Sequence, residues 1–578
     1  MAQYIFVKTR NNSDMVKKLN DICELLTPDD IKDTSSNFVG EWDGVFNSYY
    51  AIQNNKDLQL KNNGVLIIGY IDEINKVYED TTDISGSYAL IKNERNGISF
   101  FCDQFGSRTL WYYIDSENFI ISTSQRAIVA LKNSFHINKE SIAWYLSAGC
   151  QGPFISWDKE IVQVLPNFKY YFDTETWLIS SIKKEGCSLP DSNTIKKEEF
   201  TSLFEEKLKN VLKNVINENR NVNKILPISG GLDSRLLLGV CSNLKLIDKL
   251  DLINWGVENP LFDDKSAAIK ISKFYNKKLL NVYLPNKMEM FDLVMNKFVA
   301  QSEGRIDHFN AFTDNFKLWN DLNNNNYGIV IRGDIPYPTG LHLNDKQARQ
   351  KIGLETLSDY KNFNHCELNI YKRLQTNCDL SRNIDESLIR WRDRLYATWR
   401  VPIVLSGFTQ LISAYSENRT PMMDWELFKK YMGLPDKNKG NKLHIRELWE
   451  KYDNSNVSDS AVPSLIHMNN YFNTKEGIEY LRKNLENLAH TDLFGSNFIK
   501  EVSIQLANHN IIGNAKVSLI ARLKFFLSKK LPPFFKYYLK SKQPMQLSYV
   551  TVAYRLILID KIINLYMSDS KSVKKVKN

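Results

Sequence analysis

The segment with the most distinct chemical character is Ser229-Gly-Gly-Leu-Asp-Ser234, which follows the apolar run Lys224–Ile228. Its two glycines let the backbone pass close to an anion, and its two serines offer hydroxyl groups. A helix that begins directly after this segment would add free N–H groups and a favourable dipole. The pattern therefore predicts a phosphate-binding loop between a strand and a helix.

The segment differs from the GxxxxGK[ST] loop of kinases and GTPases, in which a lysine reaches the terminal phosphates. Here an acidic residue, Asp233, stands inside the loop. A carboxylate beside phosphates is expected chiefly as a ligand of Mg²⁺. For Ser-Gly-Gly alone, a helix cap with Asp233 in the first turn is an equally good interpretation. The complete hexapeptide after a strand favours the phosphate site.

The elements before this loop indicate a separate domain. The chain has 578 residues, which is too long for one hydrophobic core. Short β-like runs separated by Asn, Asp and Gly turns predict a sheet-rich α+β domain, and they lie at Gly64–Tyr70, Gly86–Ile91, Ile98–Cys102, Leu110–Ile114 and Phe119–Ser122. The polar stretch Ser188–Lys197 indicates a linker.

From Glu198 onward, helical segments alternate with buried strands, which predicts a parallel sheet with right-handed crossovers. The predicted strands are Lys224–Ile228, Asp251–Trp255, Leu279–Leu284 and Gly328–Ile331, and the predicted helices lie at 198–218, from Ser234 and through Ala267–Phe274. After residue 380 the pattern is mainly helical. We therefore predict domains at 1–187 and 198–515 and a C-terminal extension at 516–578.

The loop resembles the pyrophosphate-binding loop of ATP pyrophosphatases such as asparagine synthetases, β-lactam synthetases and lasso-peptide cyclases. Further segments follow in the family's order: Asp103–Tyr113, Phe119–Ser124 and Ser141–Leu146 resemble its N-terminal domain, and Arg419–Asp424, Leu434-Pro435 and Lys442–Arg446 resemble its C-terminal signature. The resemblance implies a glutaminase-type α+β domain of the N-terminal-nucleophile hydrolase kind, then an α/β ATP pyrophosphatase domain with many helices. It implies ATP and Mg²⁺ as cofactors, with ATP bound by Ser229, Gly230, Gly231, Leu232, Asp233 and Ser234.

The same resemblance implies a catalytic lysine. When a carboxylate attacks the α-phosphate of ATP, and when an amine later attacks the acyl-adenylate, negative charge accumulates on oxygens that a cation stabilises. The family's lysine occupies the first position of a K-x-x-x-R pattern, which is Lys442 here, with Arg446 one helical turn later. The alternative is a solvated basic pair on a helix, and the upstream loop disfavours it.

One departure from the family concerns glutamine. In glutamine-using relatives the mature chain begins with a cysteine, whose thiolate attacks the glutamine amide. This sequence has Ala2 and no cysteine before Cys23. We therefore expect no glutamine hydrolysis by that mechanism, and Gly69–Asp72 is at best a remnant of the glutamine-binding segment.

A second departure concerns an acidic segment that resembles GEGxDE in relatives. Here the strand Gly328–Ile331 leads into Arg332-Gly333-Asp334-Ile335-Pro336-Tyr337. If this segment aligns with the family's acidic segment, Asp334 is the second Mg²⁺ ligand and Gly333 belongs to the nucleotide site. Ile335 then replaces a glutamate. The acid/base partner of the incoming amine stays open among three candidates, Tyr337, Glu303 and Asp307.

Other candidate positions follow the second strand of the predicted parallel sheet. Trp255 and Gly256 resemble the place where the family's backbone meets adenine. Asp263 or Asp264 begins the next helix, where a capping role is favoured over a ligand role.

The formal net charge of +9 belongs to the end of the chain. Residues 516–578 contain 14 Lys and Arg but only two acidic residues, and the basic residues alternate with aromatic ones. This pattern is compatible with peripheral contact to an anionic membrane or an acidic partner. A solvated helical appendage that covers the core is slightly favoured. The remaining chain is slightly acidic, which disfavours nucleic-acid binding.

Cysteine usage and hydropathy predict a cytoplasmic protein. The seven cysteines are scattered and form no CxxC pair, and no secretory signal is visible. Charged residues interrupt the longest apolar stretch, Tyr549–Met567, so we expect no transmembrane helix.

Together these patterns predict an ATP-dependent amide-bond synthase that adenylates a carboxylate, releases PPi and lets ammonia or a substrate amine displace AMP. Its substrates would be a small-molecule or peptide carboxylate and an amine. A peptide ring, an amidated metabolite and an amidated glycan stay open as products. The alternative is a catalytically silent relative that binds nucleotide or a partner protein.

Overall fold

A computed structural model describes residues 3–11, 14–35, 37–42, 45–53, 59–62, 64–72, 74–77, 84–218, 221–258, 264–338, 344–377, 380–439, 442–453, 455–457, 465–509 and 545–573. Within these residues the chain forms two antiparallel sheets, then one parallel sheet, and then a mainly helical region.

The first part of the chain forms two six-stranded antiparallel sheets. Their strands are β1 (Gln3–Thr9), β2 (Phe38–Glu41), β3 (Ser48–Gln53), β4 (Gln59–Asn62), β5 (Val65–Ile71), β6 (Gly86–Glu94), β7 (Gly97–Cys102), β8 (Trp111–Ile114), β9 (Asn118–Ser122), β10 (Val162–Gln163), β11 (Phe168–Asp173) and β12 (Leu178–Lys183). One sheet has the order β10-β8-β9-β1-β3-β2 and the other β12-β11-β7-β6-β5-β4. These sheets confirm the prediction of a sheet-rich α+β domain.

The two sheets share a core because side chains alternate between the faces of each strand. In β5, Leu66 and Ile68 pack into the core between the sheets, whereas Val65 and Ile67 pack into a smaller cluster. Three helices accompany the sheets: α1 (Met15–Leu26), α2 (Gln125–Lys132) and α3 (Lys139–Ala148).

The second part contains a five-stranded parallel sheet with the order β15-β14-β13-β16-β17. Its strands are β13 (Lys224–Pro227), β14 (Asp251–Gly256), β15 (Leu279–Tyr283), β16 (Ile329–Ile331) and β17 (Glu417–Arg419). Helix α4 (Lys197–Asn217) precedes the first of these strands, and the helices between them include α5 (Leu232–Asn243), α6 (Asp264–Phe274), α7 (Phe291–Ser302) and α8 (Lys317–Asn324). The predicted parallel sheet is confirmed, and β13 to β16 lie within one residue of their predicted bounds.

The remaining described chain is helical, as predicted. It contains α9 (Asp345–Ile352), α10 (Asn369–Leu374), α11 (Leu388–Leu395), a π-helix (Tyr396–Leu405), α12 (Ser406–Ile412), α13 (Trp425–Met432), α14 (Leu443–Tyr452), α15 (Met468–Phe472), α16 (Lys475–Glu486), α17 (Ser496–Ala507) and α18 (Tyr549–Ser572).

Helix α18 lies inside the core rather than in a peripheral extension. Of its 24 residues, 16 are buried, and it contacts α2, α3, α7, α16 and α17. Two buried ion pairs hold it, Arg126–Asp569 at 2.7 Å and Arg555–Asp307 at 2.8 Å. Apolar residues occur on all sides of the helix. In water such a helix is stable only when it is buried. Residues 549–572, within the segment 516–578 that was predicted as an extension, therefore pack against the helices of the core.

The basic and aromatic residues at 522–542, which suggested a membrane or acidic partner, lie outside the described residues. In the part of the chain that the structure describes, no helix has the length and apolar character needed to cross a membrane.

Candidate active site

The predicted phosphate loop connects the central strand β13 to helix α5. The strand order reverses between β13 and β16, and in open parallel sheets ligands bind at such a switch point, beyond the carboxyl ends of the strands. An open cleft of about 550 Å³ lies there, which we call the switch-point cleft. It is lined by parts of the loop after β13 (229–234) and of the segment after β16 (332–334).

Seven of the predicted residues line this cleft: Ser229, Gly231, Asp233, Ser234, Trp255, Gly333 and Asp334. Gly230 and Leu232 belong to the same loop but are not among the lining residues that the structure describes. Gly256 pairs with Tyr283 in the sheet, and its carbonyl accepts a hydrogen bond from the Leu284 N–H at 2.9 Å. The structure thus brings together most of the predicted nucleotide-binding residues and gives Gly256 a role in the sheet.

A carboxylate holds the loop in place. The Gly230 N–H donates to Asp264 Oδ1 at 2.6 Å, and the Gly231 N–H donates to Ser229 Oγ at 3.1 Å. Asp264 is the first residue of α6 and itself lines the cleft. Asp264 therefore binds a loop 34 positions earlier in the chain, a contact that the predicted capping role does not include.

Glycine at position 333 allows the two loops to meet. A Cβ atom there would lie 2.9 Å from the Asp233 Cβ and 3.1 Å from the Ser234 backbone nitrogen, closer than carbon atoms pack. The segment after β16 therefore passes directly against the N-terminus of α5. This close approach places Asp334 on the same cleft as Asp233.

The two acidic residues form a site that fits Mg²⁺. Burial raises the pKa of Asp233, and the charge of Asp334 raises it further, while Lys442 acts in the opposite direction. Among the described residues, the buried Asp233 Oδ1 has no hydrogen-bond partner. Asp334 forms an ion pair with Arg332 at 3.2 Å. An unsatisfied carboxylate oxygen beside a second carboxylate matches the oxygen ligands that Mg²⁺ prefers.

Lys442 reaches this site from the other end of the domain. Its Nζ forms an ion pair with Asp233 Oδ2. Lys442 directly precedes α14 and has a left-handed backbone with φ of 59°, a conformation that is uncommon for residues other than glycine. Such outliers often occur at functional sites.

Two further contacts anchor α14 to α5. Arg235 on α5 forms a buried ion pair with Asp453 at 2.9 Å, just after α14 ends. A Cβ atom at Gly239 would lie 2.5 Å from the Tyr452 carbonyl oxygen, so the helices approach closely. Arg446 is half-buried on α14 and is not among the described residues that line the cleft.

None of the three candidates for an acid/base partner is among the described residues that line the cleft. Tyr337 is buried and stacks on Tyr431 with ring centroids 4.0 Å apart. Its burial, together with the charge of Asp233, raises the pKa of the phenol well above its ordinary value. A phenol in this environment is a poor base at neutral pH.

Glu303 and Asp307 hold elements of the core together. Glu303 is 1% exposed, and its carboxylate accepts hydrogen bonds from the backbone N–H of Gln125 and the hydroxyl of Ser124 at the start of α2. Asp307 is fully buried in its ion pair with Arg555. The structure therefore gives both carboxylates structural partners.

Sequence reasoning gave Arg332 no role in the cleft, and it included His308 only within the segment 303–308, which suited a site and a solvated loop equally well. In the aromatic wall of the cleft it identified Trp255 but missed Trp319, against which Trp255 packs edge-on at 5.8 Å, and Phe312, which lies beside them. Proximity to the ends of β14 and β16 was the available signal for Trp255 and Arg332. His308, Phe312 and Trp319 belong to segments without a strand-end pattern.

The chain is similar to several solved structures, each at low sequence identity. No protein-family model matches the sequence, and no curated protein matches it. One similar solved structure is the glutamine phosphoribosylpyrophosphate amidotransferase from B. subtilis complexed with ADP and GMP, with 9% identity and a TM-score of 0.20 over 45% of this chain. This chain spans 66% of that protein, slightly less than two thirds of its length.

Two synthetases are also similar in structure. The NH3-dependent NAD synthetase from Campylobacter jejuni has 14% identity and a TM-score of 0.18, and the match covers 61% of this chain and 100% of the synthetase. The NMN synthetase from Francisella tularensis has 11% identity and a TM-score of 0.18, with 46% and 99% covered. Identities and TM-scores this low assign no activity to this chain.

Proposed function

We propose that this protein is an ATP-dependent amide-bond synthase of the asparagine-synthetase type. It activates a substrate carboxylate as the acyl-adenylate, releases PPi and forms an amide when ammonia or a substrate amine displaces AMP. The observation that carries the proposal is that Asp233 and Asp334 line the switch-point cleft while Lys442, which is not among the described lining residues, forms an ion pair with Asp233. One cation and two carboxylates beside a glycine-rich loop at a helix N-terminus suit a nucleotide triphosphate with its metal.

The loop would bind the departing pyrophosphate. Free N–H groups at the start of α5 and the hydroxyls of Ser229 and Ser234 are donors for phosphate oxygens. The Gly230 N–H now donates to Asp264, so this carboxylate fixes the loop in its present shape. The aromatic wall of Trp255, Phe312 and Trp319 suits the adenine base, which is flat and apolar on its faces.

Lys442 would supply the positive charge for the chemical step. A lysine ammonium stabilises the negative oxygens that form when the carboxylate attacks the α-phosphate and when the amine attacks the adenylate. Its present partner is Asp233, so this ion pair keeps the ammonium at the edge of the cleft. Mg²⁺ held by Asp233 and Asp334 would neutralise phosphate charge when bound.

The proposal excludes glutamine as the source of nitrogen. The first cysteine of the sequence, Cys23, is buried on α1, and burial raises the pKa of its thiol to about 12. A thiol with this pKa is protonated and a weak nucleophile at neutral pH. The N-terminal sheets, proposed here to have the glutaminase fold, would then serve as a support for the second domain. Release of glutamate from glutamine at an enzymatic rate would contradict this part.

The decisive experiment follows the nucleotide products. Full-length protein, ATP, Mg²⁺ and pools of candidate carboxylates and amines should yield AMP and PPi. Formation of ADP and phosphate instead would rule out the proposed chemistry. Asp233→Asn should abolish AMP formation because it removes a proposed metal ligand while keeping the shape of the side chain.

The catalytically silent alternative makes a different prediction. A nucleotide-binding or partner-binding scaffold should retain its cellular role in both Asp233→Asn and Lys442→Ala. An enzyme should lose that role in both. A deletion strain complemented with each variant, and compared by mass spectrometry of its metabolites, separates the two.

A further inference from the structure

A second cavity lies next to the switch-point cleft and has a volume of about 850 Å³. We call it the polar cavity. Its walls come from the two parts of the chain and from α18, at positions 147–150, 307–308, 347–360, 400–404, 467–469 and 545–555. This volume lies within the range typical of small-molecule sites.

His308 lines both the polar cavity and the switch-point cleft. Its ring packs edge-on against Phe408, a cleft residue, at 5.8 Å, and its Nδ1 lies 2.8 Å from Asp307 Oδ1. Val404, one turn before Phe408, lines the polar cavity. A molecule in the polar cavity would therefore have one end beside the cleft.

The charges on the polar cavity favour an anion. Asp307 is neutralised by Arg555, which also donates hydrogen bonds to the carbonyls of Leu146 and Ser147 at 2.9 and 2.7 Å. Glu355 is the other lining carboxylate, and burial raises its pKa to about 7, so it is partly protonated at neutral pH. Besides these groups, the described lining carries two further cations, a lysine and an arginine.

Those cations are Lys351 and Arg400. The Arg400 Nη1 donates to the Ile352 carbonyl at 2.7 Å. This contact requires Gly353, because a Cβ atom there would lie 2.7 Å from the same nitrogen. The guanidinium is therefore held in a defined place, which suits recognition of a carboxylate.

The other lining groups include apolar side chains and several hydrogen-bonding ones, namely the amides of Gln347, Gln350 and Asn469 and the hydroxyls of Ser548 and Thr551. Such groups suit a ligand that is rich in hydroxyl or amide groups. Acidic peptides offer amide groups to such a site, and acidic saccharides offer hydroxyl groups.

We propose that the polar cavity binds the body of one substrate through a carboxylate that the reaction leaves unchanged, held by Arg400 and Lys351, with the reacting group directed past His308 into the cleft. The ligand class is a carboxylate-bearing polar molecule of dipeptide or disaccharide size. The role as a substrate site rests on the proposed function, whereas the binding itself does not.

The test is calorimetric titration of the full-length protein, without ATP, with two acidic probes and their neutral counterparts. The peptide arm compares Glu-Glu with Gln-Gln, and the saccharide arm compares digalacturonate with galactobiose. At least one acidic probe should bind about tenfold more tightly than its neutral counterpart, since a charged hydrogen bond contributes roughly that much. The arm that responds identifies the scaffold.

Variants localise the binding. Arg400→Gln and Lys351→Gln should each weaken binding of the acidic probe. Lys346→Gln should leave it unchanged, because Lys346 lies on the same helix as Lys351 but donates to the Asp359 carbonyl, and it does not line the described cavity. Circular dichroism and ATP binding should match wild type in all three.

Several outcomes would overturn the inference: equal affinity for acidic and neutral probes, no binding of either acidic probe at millimolar concentration, or full affinity in Arg400→Gln. Failure of the proposed function would appear differently, as intact binding of the acidic probe without AMP formation from ATP and any substrate pool.

Discussion

The side-chain ammonium of Lys442 contacts a carboxylate oxygen of Asp233, although the two residues are 209 positions apart in the chain. The contact joins the residue before α14 to the first turn of α5. It brings the cation of one sequence pattern to the acidic residue of another, at the point where the order of the parallel sheet reverses. The site is therefore built from both ends of the second domain.

Removal of the ammonium should slow the chemical step. Lys442→Ala should lower the rate of AMP formation by about 100-fold or more, which is typical when a group that stabilises developing negative charge is lost. ATP should still bind, because the loop and Asp233 remain. Single-turnover measurements with labelled ATP test this. Lys437→Ala is the matched control, since Lys437 is exposed nearby, and an equal loss in both variants would contradict the role.

A methyl group at Gly333 should disturb nucleotide binding. In Gly333→Ala the new Cβ would lie 2.9 Å from the Asp233 Cβ, so the two loops must separate. We expect ATP affinity to fall by about tenfold, in line with the cost of overpacking a tight contact. Equilibrium dialysis measures the affinity. Wild-type affinity for ATP in this variant would show that the loops do not need to touch.

The buried ion pair of α18 should matter for stability. Asp569→Asn leaves the Arg126 guanidinium buried without its charged partner, and we expect a loss of about 3–5 kcal/mol in the free energy of unfolding. Asp292→Asn is the control, because it removes a partner of Lys561 on the same helix at a surface site. That change should cost less than about 1 kcal/mol. Urea unfolding compares them, and equal losses would refute the core position of α18.

The carboxyl of Glu355 should make stability depend on pH. Burial raises its pKa from the ordinary 4.5 to about 7, with Arg555 and Arg400 lowering it and Asp359 raising it. Between these two values the unfolded chain ionises Glu355 but the folded chain keeps it protonated, so stability falls as pH rises. In thermal unfolding, the stability of wild type relative to Glu355→Gln should decrease from about pH 4.5 to 7 and then stay constant. A difference that is independent of pH would contradict the shift.

The basic segment before α18 gives a prediction about membranes. Contact with an anionic membrane predicts that replacement of Lys529, Lys530, Lys536 and Lys540 by Gln reduces co-sedimentation with vesicles that contain anionic lipid, by about 1 kcal/mol for each charge near the surface. A solvated appendage, the slightly favoured alternative, predicts no change. Substitution is preferable to truncation at residue 515, because truncation would also remove the buried α18. Equal co-sedimentation of both proteins with the anionic vesicles would exclude the electrostatic contact.

Sequence patterns were sufficient for the elements that depend on local chemistry. Short β-like runs and the strand-loop-helix pattern around Ser229–Ser234 predicted a sheet-rich first domain, the parallel strands and a loop between a strand and a helix. These predictions succeed because a strand's burial pattern and a glycine's freedom are properties of a few neighbouring residues. The positions of Asp233 and Asp334 at strand ends are local in the same sense.

Tertiary structure decided which distant groups meet. In the sequence, Glu303, Tyr337 and Asp307 were equally suitable as the acid/base partner of the incoming amine. In the structure the two carboxylates have structural partners, and the Tyr337 phenol is buried against Tyr431. Packing likewise draws α18, which looks like a peripheral apolar stretch, into the core. Burial and long-range ion pairs depend on the whole fold, so no short window of sequence contains them.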